Sequence, residues 1–149
     1  MKKIVIVLLV SFFTLNVYSQ NNDTEIDNIK KTILTAYVDG LQNEGDIVKI
    51  DKGFHPKFEL LGIGKDNEMW SLSIKDWKEK VIKGKKDGKF PKKEENKVSI
   101  KFLFVDVTGS AAVAKFEFFI GDKLTYVDYQ SLYKFKDGWK IVSKIYHKF

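Results

Sequence analysis

Apolar residues recur at helical spacing in the first third of this chain and alternate in the last third. Ile26, Ile29, Ile33, Tyr37 and Leu41 lie three or four positions apart, one stripe on a helix predicted from Asp23 to Leu41. Thr24 to Asp27 has the spacing of a capping box with Asp in the acidic place, and Asp27 lies one turn before Lys31. A second short helix is predicted from Asp46 to about Lys52, burying Ile47 and Ile50 and stopped by Gly53. Phe54-His55-Pro56 takes the chain out of helix, because proline disfavours helical geometry at the residue before it. Phe58 to Ile63 then reads as a strand, Gly64 to Asn67 as a turn and Glu68 to Leu72 as a hairpin partner. Ser73 opens a third helix whose stripe is Ile74, Trp77 and Val81.

The stretch from Lys83 to Lys97 has no period; it holds seven lysines, three acids, two glycines and Pro91, and reads as a solvated connection. It is longer than the usual connection of roughly four to six residues, which leaves a role toward an anionic ligand open. Strands are expected at Val98–Val107 and Ala111–Ile120, joined by a two-residue loop at Gly109-Ser110. That loop places Leu103, Val105 and Val107 beside Ala112, Ala114, Phe116 and Phe118, with Lys115 and Glu117 on the other face. Which of those faces points inward stays open at this stage.

The last hairpin turns at Lys136-Asp137-Gly138. A two-residue Asp-Gly loop sets Lys136 against Trp139 and sends the apolar sets of the two strands to opposite faces. A three-residue loop with Gly138 left-handed sets Phe135 against Trp139. It gathers Val127, Tyr129, Ser131, Tyr133 and Phe135 with Trp139, Ile141, Ser143, Ile145 and His147. The second register is preferred, since it makes one apolar face and one polar face of Asp128, Gln130, Lys134, Lys140 and Lys144. A bulge near Thr125 would reverse the strand and turn Asp128 inward.

Helices first and a meander last resemble the nuclear-transport-factor-2-like superfamily. Within it the chain is similar to the family named "Putative lumazine-binding". The matching pieces are Tyr37-Val38-Asp39-Gly40, Phe54-His55-Pro56, Ala111-Ala112-Val113-Ala114-Lys115, Val127-Asp128-Tyr129 and Asp137-Gly138-Trp139-Lys140-Ile141-Val142, over about residues 24–149. The resemblance implies an α+β fold, with a cone-shaped curved antiparallel sheet packed against N-terminal helices around a pocket. It also implies a heteroaromatic ligand, and it brings no catalytic residues with it.

Composition changes this picture in two places. Met1-Lys2-Lys3, the apolar run Ile4–Leu15 and Val17-Tyr18-Ser19 have the form of a secretory signal peptide, cleaved after Ser19. The expected mature chain is a single domain over residues 20–149, exported to the periplasm or medium, with no membrane attachment after cleavage. It has no cysteine, hence neither a disulfide nor a thiol nucleophile. All 26 basic residues are lysine, so the planar fork that clamps phosphates is absent. With a net charge of only +6 and no recognition motif, a nucleic-acid partner is not expected.

Candidate chemistry is sparse. His55 and His147 are the only histidines and lie far apart, so no metal and no cofactor are expected. No Gly-x-Ser-x-Gly elbow and no phosphate-binding glycine loop occur. The residues expected to line a pocket are Tyr37, His55, Phe58, Trp70, Tyr129, Tyr133 and His147, with Trp70 at the rim and Trp77 a further aromatic. The function expected is binding of a small apolar or heteroaromatic ligand without catalysis, by a homodimer. One alternative is a hydrolase, dehydratase or isomerase that uses His55 or Asp128 with a tyrosine. The other is a sheet-mediated dimeric module that holds no ligand.

Overall fold

The computed structural model describes residues 22–149. The expected signal peptide, residues 1–19, lies outside them. Helix α1 is α-helical over residues 22–32 and continues as a π-helix over Ile33–Glu44, ending on left-handed Gly45, whose N–H bonds Gly40 O. Helix α2, Ile47–Gly53, is capped by Asp46, whose carboxylate accepts from Val48 N and Lys49 N. Helix α3 is Ile74–Lys86, capped by Ser73, which accepts from Asp76 N. The stripe read from the sequence is the buried one: Ile29, Ile33, Tyr37 and Leu41 are each at most 2% exposed.

Six strands form one sheet: β1 Phe54–Ile63, β2 Met69–Ser73, β3 Val98–Thr108, β4 Ala111–Ile120, β5 Lys123–Phe135 and β6 Gly138–Lys148. Their order is β2-β1-β6-β5-β4-β3, antiparallel throughout except for the parallel pair β1–β6. The helices pack on one face of this curved, unclosed sheet, which makes it the expected α+β fold. Strand β1 starts at Phe54 rather than Phe58, because His55 and Pro56 are already extended where the chain leaves α2. Gly53 is needed there. A Cβ at this position would lie 2.3 Å from Ala36 Cβ, where α2 crosses α1.

The sheet corrects two expected registers. Gly109-Ser110 is the two-residue loop, with Thr108 opposite Ala111, but the pairing slips between Phe102 and Phe104. Leu103 is therefore skipped, and Phe102 rather than Leu103 faces Phe116. Lys115 and Glu117 lie on the face away from the helices, where Lys101 stands 3.7 Å from Glu117.

In the last hairpin the loop is Lys136-Asp137, with Phe135 opposite Gly138 and Lys134 opposite Trp139. Next to the turn this differs from both expected registers, but beyond Val142 the pairs Ser131–Ser143, Tyr129–Ile145 and Val127–His147 are those of the preferred one. The helix-facing side, however, is the one with Tyr126, Asp128, Gln130 and Leu132. On β6 a second slip leaves Val142 without a partner, so Trp139 and Ile141 before it and Lys144 and Tyr146 after it all point inward. A slip at Thr125 is present as well, against Phe118 and Phe119 of β4. That slip sets Tyr126 opposite Phe118 and Asp128 opposite Phe116, so the bulge at Thr125 is what turns Asp128 inward.

The lysine-rich connection is exposed, as expected of a solvated one, but it is tied down at defined points. Asn43, at 7% exposed, donates from Nδ2 to Val98 O at 2.9 Å and accepts from Val98 N at 2.8 Å. Its backbone carbonyl accepts from Lys92 N at 2.7 Å. One residue at the end of α1 thus fastens two segments, its carbonyl the connection and its side chain the start of β3. Asn43→Ala, which removes the two bonds to Val98 and keeps the carbonyl bond to Lys92, should cost about 1–3 kcal/mol in denaturant unfolding and speed proteolysis just before Val98. An unchanged midpoint and cleavage pattern would mean that the Asn43 side chain does not hold the start of β3.

Candidate functional site

A cavity of about 720 Å³ opens between α1, α3, the connection and the helix-facing side of the sheet. That size lies in the usual range of roughly 300–1,000 Å³ for small-molecule sites. Tyr37 and Trp77 wall it from the helices, and Leu60, Phe118, Tyr126 and Tyr146 from the sheet. The rings meet edge to face. Tyr126 stands 5.5 Å from Phe118 and from Tyr146, at 71° and 90°, and Tyr37 lies 6.3 Å from Trp77 at 74°. Such edge-on pairs hold each ring in place through the quadrupole and leave flat faces available to the cavity.

A polar cluster is set into this wall. Asp128 is fully buried; its Oδ2 accepts from the Tyr37 hydroxyl at 2.7 Å, and its Oδ1 is 3.0 Å from Lys144 Nζ. Lys144 lines the cavity although only 5% exposed, and its ammonium lies 4.9 Å from the Tyr146 ring centre, 5.3 Å from Tyr37 and 6.0 Å from Tyr126. Three ring faces and one carboxylate therefore replace the water that this cation has lost. Asp128 does not line the cavity; Tyr37 and Lys144 stand between it and any occupant.

Burial dominates the titration of the cluster. It raises Asp128 above the usual carboxylate range, against the pull of Lys144 and the Tyr37 hydrogen bond. It lowers Lys144, against the pull of Asp128. Tyr37 is pushed well up by burial and then by the Asp128 charge, so it stays a neutral donor. A raised acid stabilises the fold below its unfolded pKa and loses that contribution as pH rises through the folded pKa. A lowered lysine contributes above its unfolded pKa and loses this as pH falls through the folded one. Near neutrality, between those limits, the charged pair is a net cost to folding, accepted at the place where the cavity needs polarity.

The residues named from the sequence scatter. Tyr37 lines the cavity. Phe58 is in the core, 4.9 Å from Phe54 and fully buried. Trp70, on β2, packs 6.4 Å from Tyr146, one ring behind the wall. Tyr129 and Tyr133 lie on the opposite face of the sheet, 42% and 52% exposed. His55 stacks on Phe135 at 4.9 Å, and its Nδ1 accepts from Lys57 N, a turn-fixing role. His147 is exposed near the chain end against Phe149. Sequence reasoning missed Tyr126, Lys144 and Tyr146 as wall residues. The signal was the alternation of Tyr126 with Asp128 and of Lys144 with Tyr146, readable only once the inward set was known.

With this geometry, comparison with known proteins is specific. The family model described as "Putative lumazine-binding" matches residues 24–147. The chain belongs to that family. No functionally curated protein matches it. Among solved structures, this lumazine-binding family member is similar to an NTF2-like protein of unknown function from Shewanella baltica OS155, with a TM-score of 0.65 and 23% identity. That match covers 85% of this chain and 94% of the other. An NTF2-like protein of unknown function from Silicibacter pomeroyi DSS-3 matches with a TM-score of 0.63 and 18% identity, over 89% and 98%. One from Methylobacillus flagellatus KT matches with 0.61 and 21%, over 85% and 93%. At these identities the likeness establishes the fold.

The cluster makes a cycle test possible. Asp128→Asn and Lys144→Met should each cost about 3–5 kcal/mol, because each strands a buried partner. The double variant should lose less than either single one, since no uncompensated charge remains. Simple addition of the two losses in urea unfolding would show that the pair is not coupled.

Proposed function

We propose that this lumazine-binding family member is an exported protein that holds a small heteroaromatic molecule in the cavity and leaves it chemically unchanged. The observation that carries the reading is the cavity's wall: three tyrosine rings around one buried ammonium, with Trp77 beside them. A lumazine-type ring offers π faces to those walls, and its carbonyl oxygens accept from Lys144 and from tyrosine hydroxyls. The leader-like first 19 residues support export.

The proton-transfer alternative has a buried carboxylate beside a tyrosine hydroxyl, as it requires. Yet both Asp128 oxygens are engaged, and its side chain lies behind the wall. A general base must come within roughly 2.6–3.2 Å of the proton it removes, or reach it through one water. Binding without chemistry fits the arrangement better.

The purified protein titrated with lumazine should quench the ligand's fluorescence and release it afterwards with unchanged mass and spectrum. Tyr126→Ala should weaken binding roughly tenfold, whereas Tyr129→Ala, on the far face, should not. Absence of binding, or equal effects of the two substitutions, would count against this cavity as the site. A chemically altered product would move the reading to catalysis through Asp128.

We also propose that the protein is a homodimer joined through the outer face of the sheet. Phe104, Val113, Tyr129, Tyr133 and Ile145 are 42–53% exposed there on neighbouring strands, with Tyr129 directly opposite Ile145. Apolar surface gathered on one face in this way is what a self-complementary interface buries. Sedimentation should give a dimer for the wild type and a monomer for Tyr133→Glu combined with Ile145→Lys. A monomeric wild type at high concentration would remove the proposal.

A further inference from the structure

The charges around the cavity are unevenly matched. At the wall, Lys144 is neutralised by Asp128. At the mouth, the connection contributes Lys89, Lys92 and Lys93 to the lining, and Glu95 is the single acid among these lining residues. Elsewhere in the same connection three of the four other lysines are occupied, Lys86 being the exception. Lys83 pairs with Asp87 at 2.7 Å, Lys97 with Glu94 at 3.0 Å, and Lys85 donates to Gly45 O. Among the described residues, Lys89, Lys92 and Lys93 have no acid within ion-pair distance. The mouth is thus left with three unpaired cations against one carboxylate.

These lysines also sit on backbone that is held. Lys89 N donates to Gly84 O at 2.8 Å, and Lys92 N to Asn43 O at 2.7 Å. Between them Phe90 is pressed into the space left by Gly45, where a Cβ would come within 3.0 Å of its ring. Lys92 Nζ stands 4.9 Å from the centre of the Phe90 ring. Lys93 O accepts from Asn96 N at 2.9 Å, at the start of the single 3₁₀ turn Glu94–Asn96. The positive potential is therefore presented at a defined rim, above a cavity whose interior charge is already cancelled. Low-dielectric walls concentrate such a field on whatever enters.

We infer that the ligand is an anionic heteroaromatic, its ring against Lys144 and the tyrosines and its carboxylate or phosphate at the mouth among Lys89, Lys92 and Lys93. This rests on the binding reading above and adds a polarity to it: flat end in, charged end out. Lysine rather than arginine suits this position. A point charge on a flexible stem holds an anion of either geometry without demanding a planar fork match.

The test compares lumazine with lumazine-6-carboxylate on the purified protein, at low salt and at about 0.5 M salt, where screening shortens to a few ångströms. The carboxylate should bind at least about tenfold more tightly at low salt, and salt should shrink the advantage. Replacing all three lysines, Lys89→Gln, Lys92→Gln and Lys93→Gln, should abolish the advantage and leave lumazine affinity as it was. Equal affinity for the two compounds, or an advantage that survives in the triple variant, overturns the inference while the cavity remains a binding site. If neither compound binds, the binding reading and this inference fall together.

Discussion

The buried contact of Asp128 with Lys144 and Tyr37 is the constraint on which the rest of this molecule turns. It joins β5, β6 and α1 through one carboxylate, so it ties the register of the last hairpin to the position of the first helix. A slip of one residue would send Asp128 to the outer face and leave Lys144 buried alone, at a cost of several kcal/mol. The cluster therefore turns inward the polar set that apolar alternation by itself would leave on the outer face. It is a source of specificity more than of stability, since burial shifts both ionisable partners toward their neutral forms.

The two faces of the sheet divide their work accordingly. The helix-facing side supplies large rings and one shielded cation around open space. The outer side carries Phe104, Tyr129, Tyr133 and Ile145 in the open. Both faces are rich in apolar residues, and only one of them faces the helices. The lysine-rich connection links the two ideas of charge and shape, because Asn43 and Phe90 hold it where its cations border the cavity.

Local signals were legible in the chain to the extent that they depended on near neighbours. The stripe Ile29, Ile33, Tyr37 and Leu41, the caps Asp46 and Ser73, and the Gly109-Ser110 turn each follow from steric and hydrogen-bonding rules within a few residues. The order of these elements also carried the fold, and Tyr37 falls on the cavity wall. Tyr126, Lys144 and Tyr146 were not legible as wall residues. Their orientation depends on skipped Thr125 in β5 and on unpaired Val142 in β6, neither of which leaves a mark in the hydrophobic pattern.

The sequence by itself thus determined the helices, the strands, their order and the absence of arginine and cysteine chemistry, because those follow from backbone sterics and composition. Tertiary structure alone decided which face of β5 and β6 looks inward. Strand alternation says only that odd and even residues part company. When Tyr129 and Tyr133 compete with Tyr126 and Leu132, the choice falls to contacts made far along the chain. Here it fell to a carboxylate that meets its hydroxyl partner on a helix 91 residues away.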